Sequence, residues 1–163
     1  MIKTAILTIS DKGSKGERTD ITGPSIKKLL NQDIFLVEFY KIIPDEIDII
    51  EKELIILSDE LNFELILTNG GTGFSQRDVT PEATERVITK KVPGIAEAMR
   101  LNSLKITPKA MLSRAISGIR NNTLIVNLPG SPKAATENLE FIMDALPHGI
   151  EILNGTASEC ARK

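Results

Sequence analysis

Glu64-Leu65-Ile66-Leu67-Thr68-Asn69-Gly70-Gly71-Thr72-Gly73 is an unbroken apolar run that empties into a glycine loop. Leu65, Ile66 and Leu67 leave no polar side. A strand over Glu64–Thr68 must therefore be covered on both faces, as strands of parallel sheets are. Two runs of similar kind precede it, Ile2–Ile9 and Ile34–Ile43, and a clear one follows at Thr123–Leu128. Between them the apolar residues change to helical spacing. Ile26, Leu29 and Leu30 mark a helix within Asp20–Asn31. Ile47, Ile50, Leu54, Leu57 and Leu61 mark one within Asp45–Leu61. Proline opens the predicted helices Pro81–Lys90 and Pro93–Leu101 at the first helical position. Ser131 caps a helix to Leu146, with Ala135, Leu139, Ile142 and Leu146 on one face. Strands alternating with helices predict an α/β fold, three-layer α/β/α, with a mostly parallel central sheet. Arg114–Arg120 is weakly strand-like, and Leu101–Arg120 breaks the alternation as an antiparallel excursion would.

The chain has 163 residues, which suits a single domain over residues 1–163. Lys plus Arg number 20 and Asp plus Glu 22, a net charge of −2 with 4% aromatics and no Trp. That balance argues against a nucleic-acid partner. No apolar run is long enough to span a bilayer, so no membrane role is expected. Met1–Ser10 reads as a strand and not as a signal peptide. One cysteine, Cys160, excludes an internal disulfide, and one histidine, His148, excludes a multi-histidine zinc site. Both read as incidental to function. Chemistry then falls to carboxylates, backbone amides, hydroxyls, Lys and Arg.

In a parallel sheet, the loops after the strands share one edge, where open α/β folds bind ligands. Those loops are Ser10-Asp11-Lys12-Gly13, Ile43-Pro44-Asp45-Glu46, Thr68 through Gly73 with Arg77-Asp78-Val79-Thr80-Pro81-Glu82, and Asn127-Leu128-Pro129-Gly130-Ser131-Pro132. Gly70-Gly71-Thr72-Gly73 suits an anion-binding nest of amides, or a plain strand-to-helix turn. It is neither a Walker loop nor a dinucleotide fingerprint. Asp45 and Asp78 each precede a predicted helix, where capping is the ordinary role. Together they also suit one Mg²⁺ shared with substrate phosphates. Asp11 and Asp20 are further candidates, Asp20 also as a cap. Arg77 reads as a forked phosphate ligand or a solvated charge. Lys12 and Lys133 read as solvated.

The Gly loop, the Asp78-Val79-Thr80-Pro81-Glu82 segment and the Pro129-Gly130-Ser131-Pro132 turn together resemble the Mog/MoaB family of molybdenum-cofactor biosynthesis, from about Lys3 to Gly155. A longer insertion that some members carry before the C-terminal helix is absent. With Pro44-Asp45-Glu46 and Arg77-Asp78 both present, the chain resembles the Mog branch, whose members are molybdopterin adenylyltransferases. The resemblance implies adenylyl transfer from ATP to molybdopterin with Mg²⁺. It makes Asp45 and Asp78 the essential, metal-holding carboxylates. It places Ser10, Asp11 and Asp20 near the nucleotide and Gly70, Gly71, Thr72 and Gly73 around the substrate. Asn127, Pro129, Gly130 and Ser131 form the second loop at the pocket, and Ser103 and Ser113 fall on the pterin side. It further implies a cytoplasmic homotrimer in contact with other cofactor-synthesis proteins. The alternative is a MoaB-like module that holds molybdopterin without activating it.

Overall fold

A computed structural model describes residues 1–156. The elements in order are β1 (Ile2–Ile9), α1 (Asp11–Ser14), α2 (Thr22–Leu29), β2 (Phe35–Ile43), α3 (Ile47–Ile55) running into a π-helical turn (Ile56–Glu60), β3 (Leu65–Asn69), α4 (Thr80–Val87), β4 (Lys90–Lys91) and α5 (Pro93–Leu104). A 3₁₀ turn (Pro108–Leu112), β5 (Ser117–Arg120), β6 (Thr123–Leu128), α6 (Pro132–Ile142), another 3₁₀ turn (Met143–Ala145) and α7 (Leu146–Leu153) complete them. One six-stranded sheet has the order β2-β1-β3-β6-β5-β4. The first four strands are parallel, and β5 and β4 are antiparallel additions.

Alternation within the buried strands builds two cores. Ile6, Leu65, Leu67, Leu124 and Val126 face α2, α5, α6 and α7, where Ile26, Met99, Leu139 and Ile150 meet them. Leu7, Ile66 and Ile125 face the other way, onto Ile50, Leu54 and Leu57 of the α3 region and Ala83 and Val87 of α4. This is the three-layer arrangement that the continuous apolar runs require. Truncating a side chain such as Leu67, which is fully buried, to Ala costs about 2–5 kcal/mol.

The expected antiparallel excursion is real, but it is shorter than Arg114–Arg120 and pairs with β4, which takes up Lys90, the last residue of the helix expected over Pro81–Lys90. The predicted Asp45–Leu61 helix starts two residues later and changes winding at Ile56. The helix expected to reach Leu146 stops at Ile142, and α7 follows. His148 lies exposed on α7, while Cys160 lies outside the described residues. The C-terminal ends of β1, β2, β3 and β6 share one edge. Connections from β1 and β3 diverge there, the usual place for a crevice.

Candidate active site

Two clefts open on this edge, separated by the loops after β3 and β6. The polar one has a volume of about 470 Å³ and takes in Ser10, Asp20, Asp45, Gly70, Gly71 and Asp78, with Gly130 and Ser131 on the far side. The apolar one has a volume of about 290 Å³ and takes in Thr72, Gly73, Met99, Ser103, Ser113 and Pro129. Each dividing loop therefore serves both clefts.

The glycine loop is shaped by close approach. Gly70 has φ +96°, and a Cβ there would stand 2.3 Å from the Ile9 carbonyl oxygen of β1. Its N–H donates to Leu128 O at 3.2 Å, and its carbonyl accepts from Thr80 Oγ1 at 2.9 Å. The loop is thus tied to β6 and to the start of α4. The two carboxylates rest on its outer surface. A Cβ at Gly71 would stand 3.0 Å from Asp45 Oδ1, and one at Gly73 would stand 2.9 Å from Asp78 Oδ2. Glycine is what lets both acids close on the loop.

Neither acid caps a helix. Asp45 Oδ2 accepts the Asp11 N–H at 2.8 Å, and the Asp45 N–H returns a bond to Asp11 Oδ1 at 3.1 Å. Asp78 Oδ2 accepts the Ser75 N–H at 3.2 Å. Among the described residues, the other oxygen of each carboxylate accepts no hydrogen bond. Burial raises the Asp45 pKa, and the charges of Asp11 and Asp78 push the same way. Both protein-derived causes favour a cation beside the ionised form. No group of three or more His, Cys, Asp or Glu able to hold a metal occurs among the described residues. Two carboxylates with free oxygens fit Mg²⁺, which keeps water and substrate phosphates in its shell.

Asp20 is held from several sides. Its Oδ2 accepts from Thr8 Oγ1 at 2.5 Å and from Tyr40 Oη at 2.6 Å. Its Oδ1 accepts from the Thr22 and Gly23 amides at the start of α2. Burial, then the hydrogen bond to Asp20, pushes the Tyr40 hydroxyl well above its ordinary pKa, so it remains a donor. Asn69 extends the network by donating to Thr8 Oγ1 at 2.9 Å.

Three residues expected at the site lie off the cleft walls. Asn127 is not a wall of either cleft. It is fully buried, with its amide donating to Thr68 Oγ1 and Thr84 Oγ1 and its oxygen accepting the Ile116 N–H. An amide between strands satisfies buried partners and holds the strands that present the loops. Asp11 also lies off the cleft linings. Arg77 forks onto it at 2.9 and 3.0 Å, and this hydrogen bond holds the Asp11 carboxyl below the usual carboxylate range. Arg77 is thus an exposed side chain already engaged by carboxylates. Its Nη2 also reaches Glu46 Oε1 at 2.7 Å, which fastens the loop of Asp78 to the loops of Asp11 and Asp45.

Arg114 escaped sequence reading because it follows no strand and sits in the irregular stretch. Its N–H donates to Thr72 O at 2.9 Å, and its guanidinium donates to Gly73 O and Asp78 O, each at 2.8 Å, and also to Glu82. Arg100 similarly steadies the Ser113 segment through Ala115 O at 2.7 Å. On the apolar side, Ser103 Oγ donates to Asn138 Oδ1 at 2.9 Å. The N-terminus of α6, capped by Ser131, borders the polar cleft and favours an anion there.

Residues 5–148 match the model of a probable molybdopterin binding domain. A molybdopterin adenylyltransferase of Helicobacter pylori is 44% identical over 164 residues, covering 99% of this chain and 93% of that protein. The crystal structure of the molybdopterin biosynthesis enzyme MoaB from Thermus thermophilus superposes with a TM-score of 0.90 at 49% identity, over 95% of this chain and 98% of that one. The molybdopterin biosynthesis Mog protein of Mycobacterium ulcerans does so at 0.86 and 34% identity, over 94% and 99%.

Proposed function

The chain belongs to the family of probable molybdopterin binding domains, and from that premise we propose that it is a molybdopterin adenylyltransferase of molybdenum-cofactor biosynthesis. Residues 1–163 act as one such unit. ATP and molybdopterin are the substrates. A phosphate oxygen of molybdopterin attacks the α-phosphorus of ATP. The bond to the bridging oxygen of the β-phosphate breaks, and pyrophosphate leaves with the electron pair. The nucleophile is already anionic, so the protein supplies no base, and catalysis reduces to positioning and charge control.

The observation that carries this reading is the placement of Asp45 and Asp78 against one glycine loop, between a polar and an apolar cleft. The apolar cleft suits a flat pterin, with Ser103 and Ser113 supplying polar contacts. The polar cleft suits the nucleotide. Gly71 and the α6 N-terminus offer amides to phosphate, Gly70 holds the loop in place, and Pro129 and Gly130 keep the two substrates adjacent. Asp45 and Asp78 would hold Mg²⁺, which supplies charge neutralisation at the phosphates when bound. Arg114 and Arg77 position these acids without touching substrate. Homotrimer formation, contact with other cofactor-synthesis proteins and a cytoplasmic location belong to the same reading. Exposed Leu101, Ile106, Met111 and Phe141 on the packed α5–α6 side support self-association.

A second reading, a MoaB-like module that binds molybdopterin without adenylylating it, draws on the similarity to the Thermus MoaB. One assay separates the two. Purified protein, ATP, Mg²⁺ and molybdopterin should release pyrophosphate. Asp45→Ala and Asp78→Ala should each lower turnover at least ~100-fold while keeping the fold, a loss on the scale of one strong transition-state contact. Wild-type-like turnover in either variant would remove these roles, and no pyrophosphate from the wild type would favour the module.

A further inference from the structure

Among the described residues, the arginines are nearly all engaged. Arg77 is forked onto Asp11 and Glu46, and Arg114 onto Glu82 and two carbonyls. Arg86 pairs with Glu51, Arg120 with Asp59, and Arg100 with the Ala115 carbonyl. Arg18 stands apart. It is exposed, and it makes no hydrogen bond or ion pair among the described residues. It also lines the polar cleft, whose other charged lining residues are Asp20, Asp45 and Asp78. Exposure alone would mean a hydrated cation of no consequence. The location changes that, since among the described residues Arg18 is the one cation lining a cleft that must accept a polyanion.

Its neighbour explains why it stays unpaired. Asp20, two residues on, is occupied by Thr8, Tyr40 and the Thr22 and Gly23 amides. The guanidinium therefore remains available to a ligand. Its segment contributes nothing to the apolar cleft, so Arg18 lies on the nucleotide's side alone. In an in-line displacement the leaving group departs opposite the incoming nucleophile. Pyrophosphate therefore leaves on the side away from the pterin.

We propose that Arg18 binds phosphate oxygens of the nucleoside triphosphate beyond the α-phosphate, and those of the departing pyrophosphate. The assignment rests on the adenylyl-transfer reading for its substrates. A planar fork suits phosphate oxygens and offsets the repulsion that three carboxylates impose on a triphosphate.

The test is calorimetric titration of Mg·ATP, Mg·pyrophosphate and AMP into wild type, Arg18→Ala and Arg18→Lys. Arg18→Ala should weaken ATP and pyrophosphate by about 10- to 100-fold, as loss of a charge-assisted contact does, and leave AMP within about twofold. Arg18→Lys should fall between, keeping the charge but not the fork. Unchanged ATP and pyrophosphate affinity would overturn the assignment. So would an equal loss for all three ligands, which marks a disturbed loop. Should Arg18→Ala melt below the wild type, Arg18→Lys alone decides by the same pattern. Wild type that binds Mg·ATP but releases no pyrophosphate with molybdopterin defeats the adenylyl-transfer reading and leaves Arg18 to the titrations. Wild type that binds neither ATP nor pyrophosphate defeats both.

Discussion

Gly70→Ala is the most direct probe of how the fold makes the site. The new methyl would stand 2.3 Å from the Ile9 carbonyl oxygen, a backbone atom held inside the parallel sheet. Neither side of that contact is a flexible side chain, so the loop itself must retreat. Retreat strains the Gly70 N–H bond to Leu128 O and the Thr80 hydroxyl bond to Gly70 O, each worth about 1 kcal/mol. The positive φ adds about 1–2 kcal/mol for a residue with a Cβ. The sum is about 3–4 kcal/mol, or roughly 6–16 °C in melting temperature for a domain of this size. Turnover should fall by about 100-fold, because displacement by an ångström is costly to positioned chemistry. Gly155→Ala is the control. Gly155 has φ +69° with nothing within 4 Å of the added Cβ, so it isolates the backbone term, at about 1–2 kcal/mol. Thermal melts of the three proteins, with pyrophosphate release measured beside them, decide the matter. A Gly70→Ala protein that melts with Gly155→Ala and turns over like wild type would refute the close-approach argument.

Two further outcomes concern the acids and the strand network. Asp45 has a raised folded-state pKa, chiefly from burial, so its ionisation weakens the fold as pH rises through that value. Asp45→Asn keeps an acceptor for the Asp11 N–H and should melt above wild type near neutral pH, with the gap closing towards about pH 4, while activity is lost. A gap that does not vary with pH would contradict the burial argument. Asn127→Ala leaves the Ile116 N–H and the Thr68 and Thr84 hydroxyls without their amide partner in the interior. Unfolding by urea should show a loss of about 3 kcal/mol, with the KM for ATP little changed because Asn127 borders neither cleft. A large KM effect without destabilisation would restore it as a ligand contact.

The fold was legible because its signals are local. Unbroken aliphatic runs at Leu65–Leu67 and Thr123–Leu128 allow only two-sided burial, and helical spacing between them supplies the covering layers. Where local signals mixed, the reading slipped. Lys90-Lys91 forms an edge strand, although nothing in two lysines announces one, because β5 offers them partners. The long helix expected to reach Leu146 breaks at the 3₁₀ turn Met143–Ala145, after which α7 begins. The site was half legible. Gly70, Gly71, Asp45, Asp78, Gly130 and Ser131 all sit in loops following parallel strands, so strand order alone brings them to one rim. Asn127 adjoins the Pro129-Gly130-Ser131 turn, yet it lies within β6 with its amide fully buried between Thr68 and Thr84.

From order along the chain came the layers, the shared edge and the types of residue available for chemistry there. Tertiary structure alone decided the partners. Arg77 reaches Asp11 across 66 positions of sequence and Arg114 reaches Asp78 across 36, distances at which side-chain pairing leaves no periodic trace. It decided too that Asp45 is half-buried among like charges while Asp11 is neutralised by a guanidinium, and that Arg18 faces the cleft unpaired. Periodicity reports which face a residue takes, because burial follows the repeat of its own element. Which charge stands opposite depends on how separate elements pack, and that is settled only when the chain closes on itself.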